Sequence, residues 1–430
     1  MLFLFLWLIF FFSFHLFFFL ALKASYADWI TANALSSSAT LAALCSAAAL
    51  RRTHFSEARC SVVAADAASM VALLRGESGG ATTRAVDAAA PQRRTALLFT
   101  GQGDVYTGMG AALFASQPVF RRELETVAAL LREELAIPLL DVMFDAVHSA
   151  ALKEARYTQP ALFAVEWATA QMWEAWGLGA VAVAGHSLGE FAAAAVAGLL
   201  PLADVAAMVA LRGRLIDALP ARGGMLSVFA SAEAVAEHVA GTSVSVAGIN
   251  NPGLTTVAGE VAELNALAAA LAAAGVQSKR VDVAHAFHSK MMEPVTAQWK
   301  AGLAALPCFR RAGGVRAHTG ASDRARFAST VDAAWADGAR VATVAYWAEH
   351  MLKPVRFMDA IRLMSEEGVG AYVEVGPHST LCSLGRRCVP VSASSGGSAL
   401  WCPSMVRGNS EDALRVTHQY VKLPQPPLQV

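Results

Sequence analysis

The chain carries no surplus of either charge: Lys and Arg number 34, Asp and Glu 34, and charged residues make up only 16% of 430 positions. A neutral chain has no long-range field to gather a polyanion, which argues against nucleic acid as a partner and against a charge-driven hold on an anionic membrane. An anionic substrate would have to be held by a few placed cations. Cysteine is sparse as well. The six cysteines, Cys45, Cys60, Cys308, Cys382, Cys388 and Cys402, are scattered without a C-x-x-C pair, so they point to neither a zinc site nor a disulfide framework. Reduced, partly buried thiols are the expectation, no metal is implied, and the cytoplasm or an organelle is the expected compartment. What is abundant is apolar. A hydrophobic share of 55% is enough to bury one large core or two smaller ones, and it excludes a disordered chain.

Residues 1–22 differ in kind from the rest of the chain. This Phe/Leu run, broken only by Ser13 and His15, would be about 33 Å long as a helix, enough to cross a hydrocarbon core of about 30 Å. It lacks the basic residues that precede the apolar run of a signal peptide, although Ser25-Tyr26-Ala27 has the small residues of a cleavage site. A membrane anchor, a targeting segment and translated sequence upstream of the true start are all open, and only the first would bring a membrane partner. From Asp28 to about Gln92 the chain is Ala-rich, expected to be helical and linker-like, with Arg51-Arg52 and Arg59 as basic punctuation and an apolar-periodic stretch from Ala65 to Leu74. Gly79-Gly80 and Ala88 to Pro91 mark its end.

The stretch that organises the remainder is Gly185-His186-Ser187-Leu188-Gly189-Glu190. An apolar run from Gly179 to Ala184 reads as a buried strand and Phe191 to Leu199 as an Ala-rich helix. Strand, sharp turn and helix are the context that G-x-S-x-G needs: the flanking glycines let the backbone take a strained turn that exposes the serine hydroxyl above the sheet edge. Amides at the start of the next helix then face whatever binds there, which suits a developing oxyanion.

Around this turn the sequence alternates strands and helices. Thr95 to Thr100 reads as a short buried strand running into Gly101-Gln102-Gly103, followed by helices from about Met109, from Pro118 to Leu135 and from Tyr157 to about Trp176. This alternation predicts an α/β fold with a mostly parallel sheet and an α/β-hydrolase-like core, whose ligands sit beyond the carboxyl ends of the strands. After a helix from Val205 to Leu219 the rhythm becomes β-α-β-β-α-β, with strands at 225–230, 244–249, 255–258 and 277–283 and helices at 232–239 and 261–274. That order is the ferredoxin-like motif, so residues 223–284 are expected to form a small inserted domain. The core is then 93–222 with 285–421, and 422–430 is a tail. A cleft between the two domains, with Ser187 on one wall and His288 at the seam, is the expected site.

Taken in order, Gly101-Gln102-Gly103, Gly185 to Glu190, Leu211-Arg212-Gly213-Arg214, His285-Ala286-Phe287-His288, Tyr346 to Phe357 with its Lys353-Pro354-Val355, and Glu374-Val375-Gly376-Pro377-His378 resemble the motifs of malonyl-CoA:acyl carrier protein transacylases. The similarity is greatest to the acyltransferase domains of polyketide and fatty acid synthases, and it covers about Arg94 to Val421, with the preceding segment resembling the linker found there. The resemblance implies transfer of a malonyl group from malonyl-CoA to the phosphopantetheine thiol of an acyl carrier protein, with no bound cofactor, in fatty acid or polyketide synthesis.

Acyl transfer between two thiols through a serine needs an activated hydroxyl, a base, an oxyanion hole and a group that recognises the acyl chain. Ser187 is the candidate nucleophile. His186, one position away, points elsewhere, so His288 is the candidate base; the family pairs serine and histidine in a dyad whose imidazole is oriented by backbone carbonyls. The resemblance places the oxyanion hole at the amides of Gln102 and Leu188, the alternative for Gln102 being a turn residue only. It also assigns Arg212 to the free carboxylate of malonate, a match for the guanidinium fork. Arg214 reads as a surface or structural charge. His350 stands where synthase domains carry histidine, and either closes the site or packs beneath it. Glu374 to Pro377 reads as a structural turn at a strand end. His285 and Phe287 complete a His-Ala-Phe-His sequence that resembles the malonyl-specific type, whereas methylmalonyl-specific members carry Tyr-Ala-Ser-His; Phe287 would fill the space beside the substrate α-carbon. Two other readings are a serine esterase or thioesterase, which would have no use for Arg212, and a non-catalytic remnant of a larger synthase.

Overall fold

A computed structural model describes residues 21–33, 44–45, 58–61, 64, 66–77, 82–85, 93–103, 105–220, 223–310, 325–389 and 399–405. The Phe/Leu run up to residue 20, Arg51-Arg52, the 406–421 end of the expected core and the 422–430 tail lie outside them. Among the described residues, no helix is long and apolar enough to cross a membrane. They fall into two units, divided at residues 92 and 93.

In the first unit, residues 21–32 are helical, so Ser25-Tyr26-Ala27 lies within a helix. The apolar-periodic stretch forms the helix Ala67–Arg75, started by the Asp66 side chain accepting from the Ser69 amide and ended by Gly76 at φ 76°. The segment expected to be helical also holds two antiparallel strands, β1 (Ala58–Ser61) and β2 (Thr82–Ala85). Alanine content is a weak local preference, and pairing between two strands overrides it.

The second unit contains two sheets. Strands β3 (Arg94–Phe99), β4 (Ala180–Gly185), β9 (Arg326–Ser329), β10 (Ala334–Ala336), β11 (Val369–Val375) and β12 (Leu400–Pro403) form a six-stranded sheet in the order β10-β9-β4-β3-β11-β12. Every pairing is parallel except β9 with β10. Apart from its first residue β3 is wholly buried, as a sheet covered on both faces requires. One face packs Ala96, Leu98, Ala182 and Ala184 against Phe357, Ile361 and Met364; the helix Gly189–Val196 lies on β3 and β4.

Between β4 and β9 the chain forms β5 (Gly223–Val228), β6 (Ser245–Asn251), β7 (Leu254–Glu260) and β8 (Ser278–Val281), with helices Ala232–Val239 and Val261–Ala273 between them. Their antiparallel order, β6-β7-β5-β8, is the ferredoxin-like arrangement, so the fold is an α/β core with this small sheet inserted. Lys353-Pro354-Val355 joins the two: the Val355 amide donates to Ala247 O at 2.9 Å and its carbonyl accepts from Ile249 at 2.8 Å. Proline suits a strip whose neighbour makes the hydrogen bonds, since it has no amide to satisfy.

Register fixes where a ligand meets the core. Phe99 pairs with Gly185 on one side and with Val375 on the other. Gly101-Gln102-Gly103, the Ser187 turn and the Gly376 turn therefore leave three adjacent strands at one level. The helix Ala155–Ala175 begins two residues earlier than its sequence predicts, because the Asp217 carboxylate accepts from the amides of Ala155 and Arg156 at 2.8 and 2.9 Å. A cap supplied by another helix leaves no local signal.

Candidate active site

Ser187 sits at φ 52°, a left-handed conformation that costs a non-glycine residue roughly 1–2 kcal/mol. The turn closes because its flanking glycines allow contact: a Cβ on Gly185 would lie 2.0 Å from the Glu190 nitrogen, and one on Gly189 would lie 2.2 Å from Phe99 O. Opposing the strain are anchors on both sides. The His186 amide donates to Phe99 O at 2.9 Å, and the buried Glu190 carboxylate accepts from the amide and hydroxyl of Thr330 and from the Tyr346 hydroxyl. The His186 ring hydrogen-bonds Asn250 Oδ1 of the small sheet at 2.8 Å, so it points away from the serine, as its place in the sequence implies.

His288 also lies in the left-handed region, at φ 56°. Its Nε2 is 2.6 Å from Ser187 Oγ and its Nδ1 is 3.0 Å from Lys353 O. A carbonyl can only accept, so the proton sits on Nδ1 and the Nε2 lone pair faces the serine hydroxyl. Burial first, then the nearby His350, Arg212 and His186, hold the imidazole well below the usual histidine range. The ring is neutral and able to take a proton.

His350 reaches the serine from below: Nε2 donates to Ser187 O at 2.9 Å. Burial and Arg212 push it down to about 3, so its 3.5 Å approach to Glu190 Oε2 is not an ion pair. The bond instead fixes the carbonyl of a strained residue.

Arg212 is 2% exposed. Nη1 donates to Gln159 Oε1 at 2.8 Å, the guanidinium carbon lies 5.9 Å from the Phe191 ring and 5.8 Å from the Phe287 ring, and the buried Nε has no acceptor among the described residues. Among the described residues no carboxylate comes within 4.0 Å of it. Burial alone lowers it to about 10, which leaves it charged at neutral pH. Gly213 explains part of this placement, since a Cβ there would lie 2.7 Å from Ala155 O; its absence lets the helix Leu202–Asp217 close on the first turn of Ala155–Ala175.

The two amides assigned to the oxyanion hole, those of Gln102 and Leu188, donate to no protein acceptor among the described residues. Gly101 brings the first of them close, because a Cβ there would stand 2.9 Å from the His186 ring and carbonyl. Phe287 is buried beside Arg212, while half-buried His285 meets its ring edge-on at 6.1 Å. Arg214 is at the surface, paired with Glu134. Glu374 is structural in position: its carboxylate caps the helix Thr380–Gly385 through the amides of Leu381 and Cys382. Gln159 was absent from the sequence candidates; nothing marks a glutamine before a proline as buried at a charge, and only the helix packing brings it there. Among the described residues no group of three or more His, Cys, Asp or Glu is placed to hold a metal.

The acyl transferase domain family matches residues 96–423. Polyketide synthase GfsA of Streptomyces halstedii is 38% identical over 372 residues, 84% of this chain and 5% of that protein; the chain thus spans a small part of such relatives. Among solved structures, the acyltransferase domain from module 8 of the salinomycin polyketide synthase is 29% identical with a TM-score of 0.80, covering 95% of this chain and 93% of that one. A malonyl-CoA:acyl carrier protein transacylase from Xanthomonas oryzae is 27% identical with a TM-score of 0.63, covering 76% and 98% respectively.

Proposed function

We propose that this chain, which belongs to the acyl transferase domain family, moves a malonyl group from malonyl-CoA to the phosphopantetheine thiol of an acyl carrier protein through a malonyl-serine intermediate. Supplying extender units for polyketide or fatty acid synthesis is the corresponding role. The acyl group arrives activated as a thioester, so no bound cofactor is called for. Ser187 Oγ attacks the thioester carbonyl as its proton passes to His288 Nε2. The negative charge on the carbonyl oxygen is met by the amides of Gln102 and Leu188, where each such donor is typically worth about 10²- to 10³-fold in rate. Collapse expels coenzyme A, whose sulfur takes the proton from His288. The carrier thiol then gives its proton to His288 and attacks the acyl-serine, and Ser187 leaves with that proton.

The observation that carries the malonyl assignment is the buried, charged Arg212, which has no carboxylate partner among the described residues. Isolated charges in an apolar cleft are costly unless paired, and a malonyl carboxylate is the partner such a site accepts. An ester or thioester of a neutral acid would leave it unpaired. Incubating the protein with radiolabelled malonyl-CoA and a holo carrier protein should move label to the carrier. Release of free malonate with the carrier unlabelled would favour the hydrolase reading instead.

A further inference from the structure

We infer that Gln159 preserves the preference for a carboxylated acyl group by meeting Arg212 with a neutral acceptor that leaves its charge unspent. The inference rests on the malonyl reading of the site and adds a residue to it. Gln159 is fully buried, and both ends of its amide are engaged. Arg212 has only donors, so the atom 2.8 Å from its Nη1 is Oε1; Nε2 can then only donate, and it does so to Gln102 Oε1 at 3.1 Å.

A buried guanidinium needs an acceptor to fix its direction. A glutamate at the same place would supply one equally well, and would also supply the counter-charge. The site would then be satisfied before substrate arrived, and a malonyl carboxylate would meet two negative groups around one cation. An amide orients Arg212 and leaves its charge unspent. The other groups against it are uncharged too: the faces of Phe191 and Phe287, and two histidines whose ordinary charge burial removes. The unpartnered Nε is the further donor that an arriving carboxylate can take. Through its Nε2 the same amide fixes Gln102, so acyl recognition and the turn carrying one oxyanion amide share a single side chain.

Two variants separate charge from structure. In Gln159→Glu the bond to Arg212 can persist, and Gln102 can turn its amide to donate to the carboxylate, while the Arg212 charge is quenched; in Gln159→Met the length persists while the bonds to Arg212 and Gln102 are both lost. Specificity constants for malonyl-CoA and acetyl-CoA are measured for each, with thermal melting as the folding control. Gln159→Glu should lower the malonyl value by roughly 100-fold, the scale of an opposed like charge in a cleft, while acetyl changes little. Gln159→Met should slow both substrates and keep the malonyl preference, since the Arg212 charge is intact. A Gln159→Glu protein that keeps the wild-type preference overturns the inference. So does a Gln159→Met protein that loses the preference as fully as Arg212→Ala, an outcome readable even if the glutamate variant does not fold. A wild-type chain that loads some other acyl group in place of malonyl would instead remove the functional reading on which the inference stands.

Discussion

Phe287 offers a selectivity that can be worked out from its surroundings. The ring is 6% exposed and is held between the Arg212 guanidinium, 5.8 Å from its centroid, and the His285 ring at 6.1 Å, so it has little room to swing aside. When Arg212 holds the malonyl carboxylate, the α-carbon is one bond from that carboxylate and therefore close to the ring. A branch methyl there intrudes on packed volume. Such intrusions typically cost about 1–3 kcal/mol, which at about 1.4 kcal/mol per factor of ten is a preference for malonyl-CoA over methylmalonyl-CoA of roughly 5- to 150-fold. The perturbation is the double variant His285→Tyr, Phe287→Ser, which opens the space and places a hydroxyl at the ring position. Removing a buried phenylalanine ring costs roughly 3–5 kcal/mol of stability, so the comparison is made below the melting temperature of the variant. Competing the two thioesters and measuring the ratio of acyl-enzymes by mass spectrometry gives the preference directly. A folded, active double variant with the wild-type ratio would refute the steric account.

Arg212→Ala should lower the specificity constant for malonyl-CoA by roughly 30- to 4,000-fold, the 2–5 kcal/mol of a lost buried partner, and leave acetyl-CoA nearly unchanged; equal losses would make Arg212 merely structural. The proposed base, His288, would act unprotonated and is held below the usual histidine range, so the acid limb of kcat/KM should lie below about pH 6.5, the ordinary histidine value, with activity lost only as pH falls further. A limb at or above that pH would contradict the assigned environment. Gly189→Ala forces a Cβ to within 2.2 Å of Phe99 O, and at about 3 kcal/mol of overpacking it should lower Tm by roughly 5 °C or more. Gly179→Ala, which meets nothing within 4 Å, should leave Tm unchanged.

Ser187, His288 and Arg212 were legible in the sequence because each sits in a motif whose neighbours have local reasons to be there. Gly185 and Gly189 are demanded by backbone contact, and Gly213 by the approach of two helices. The small sheet was legible because its six elements succeed one another with clear periodicity. Strands β9, β10 and β12, of three or four residues each, are too short to show a period, and only pairing with β4, β9 and β11 makes them strands. What the sequence could not show is contact between distant elements. Glu190 caps Thr330, Asp217 caps Ala155, His186 meets Asn250, and Gln159 links Arg212 to Gln102. Each is a polar residue whose partner is chosen by tertiary packing, and none has a spacing that announces it.

The central claim is that Ser187 Oγ carries the acyl group between two thiols, and trapping that intermediate tests it most directly. The purified protein is incubated with malonyl-CoA alone, quenched in acid and digested, and the peptide containing Ser187 is examined by mass spectrometry. One malonyl group on Ser187 is expected, formed about 10²- to 10⁴-fold more slowly in His288→Ala, the usual worth of a positioned base. A Ser187→Ala protein that still acquires the malonyl group would contradict the account.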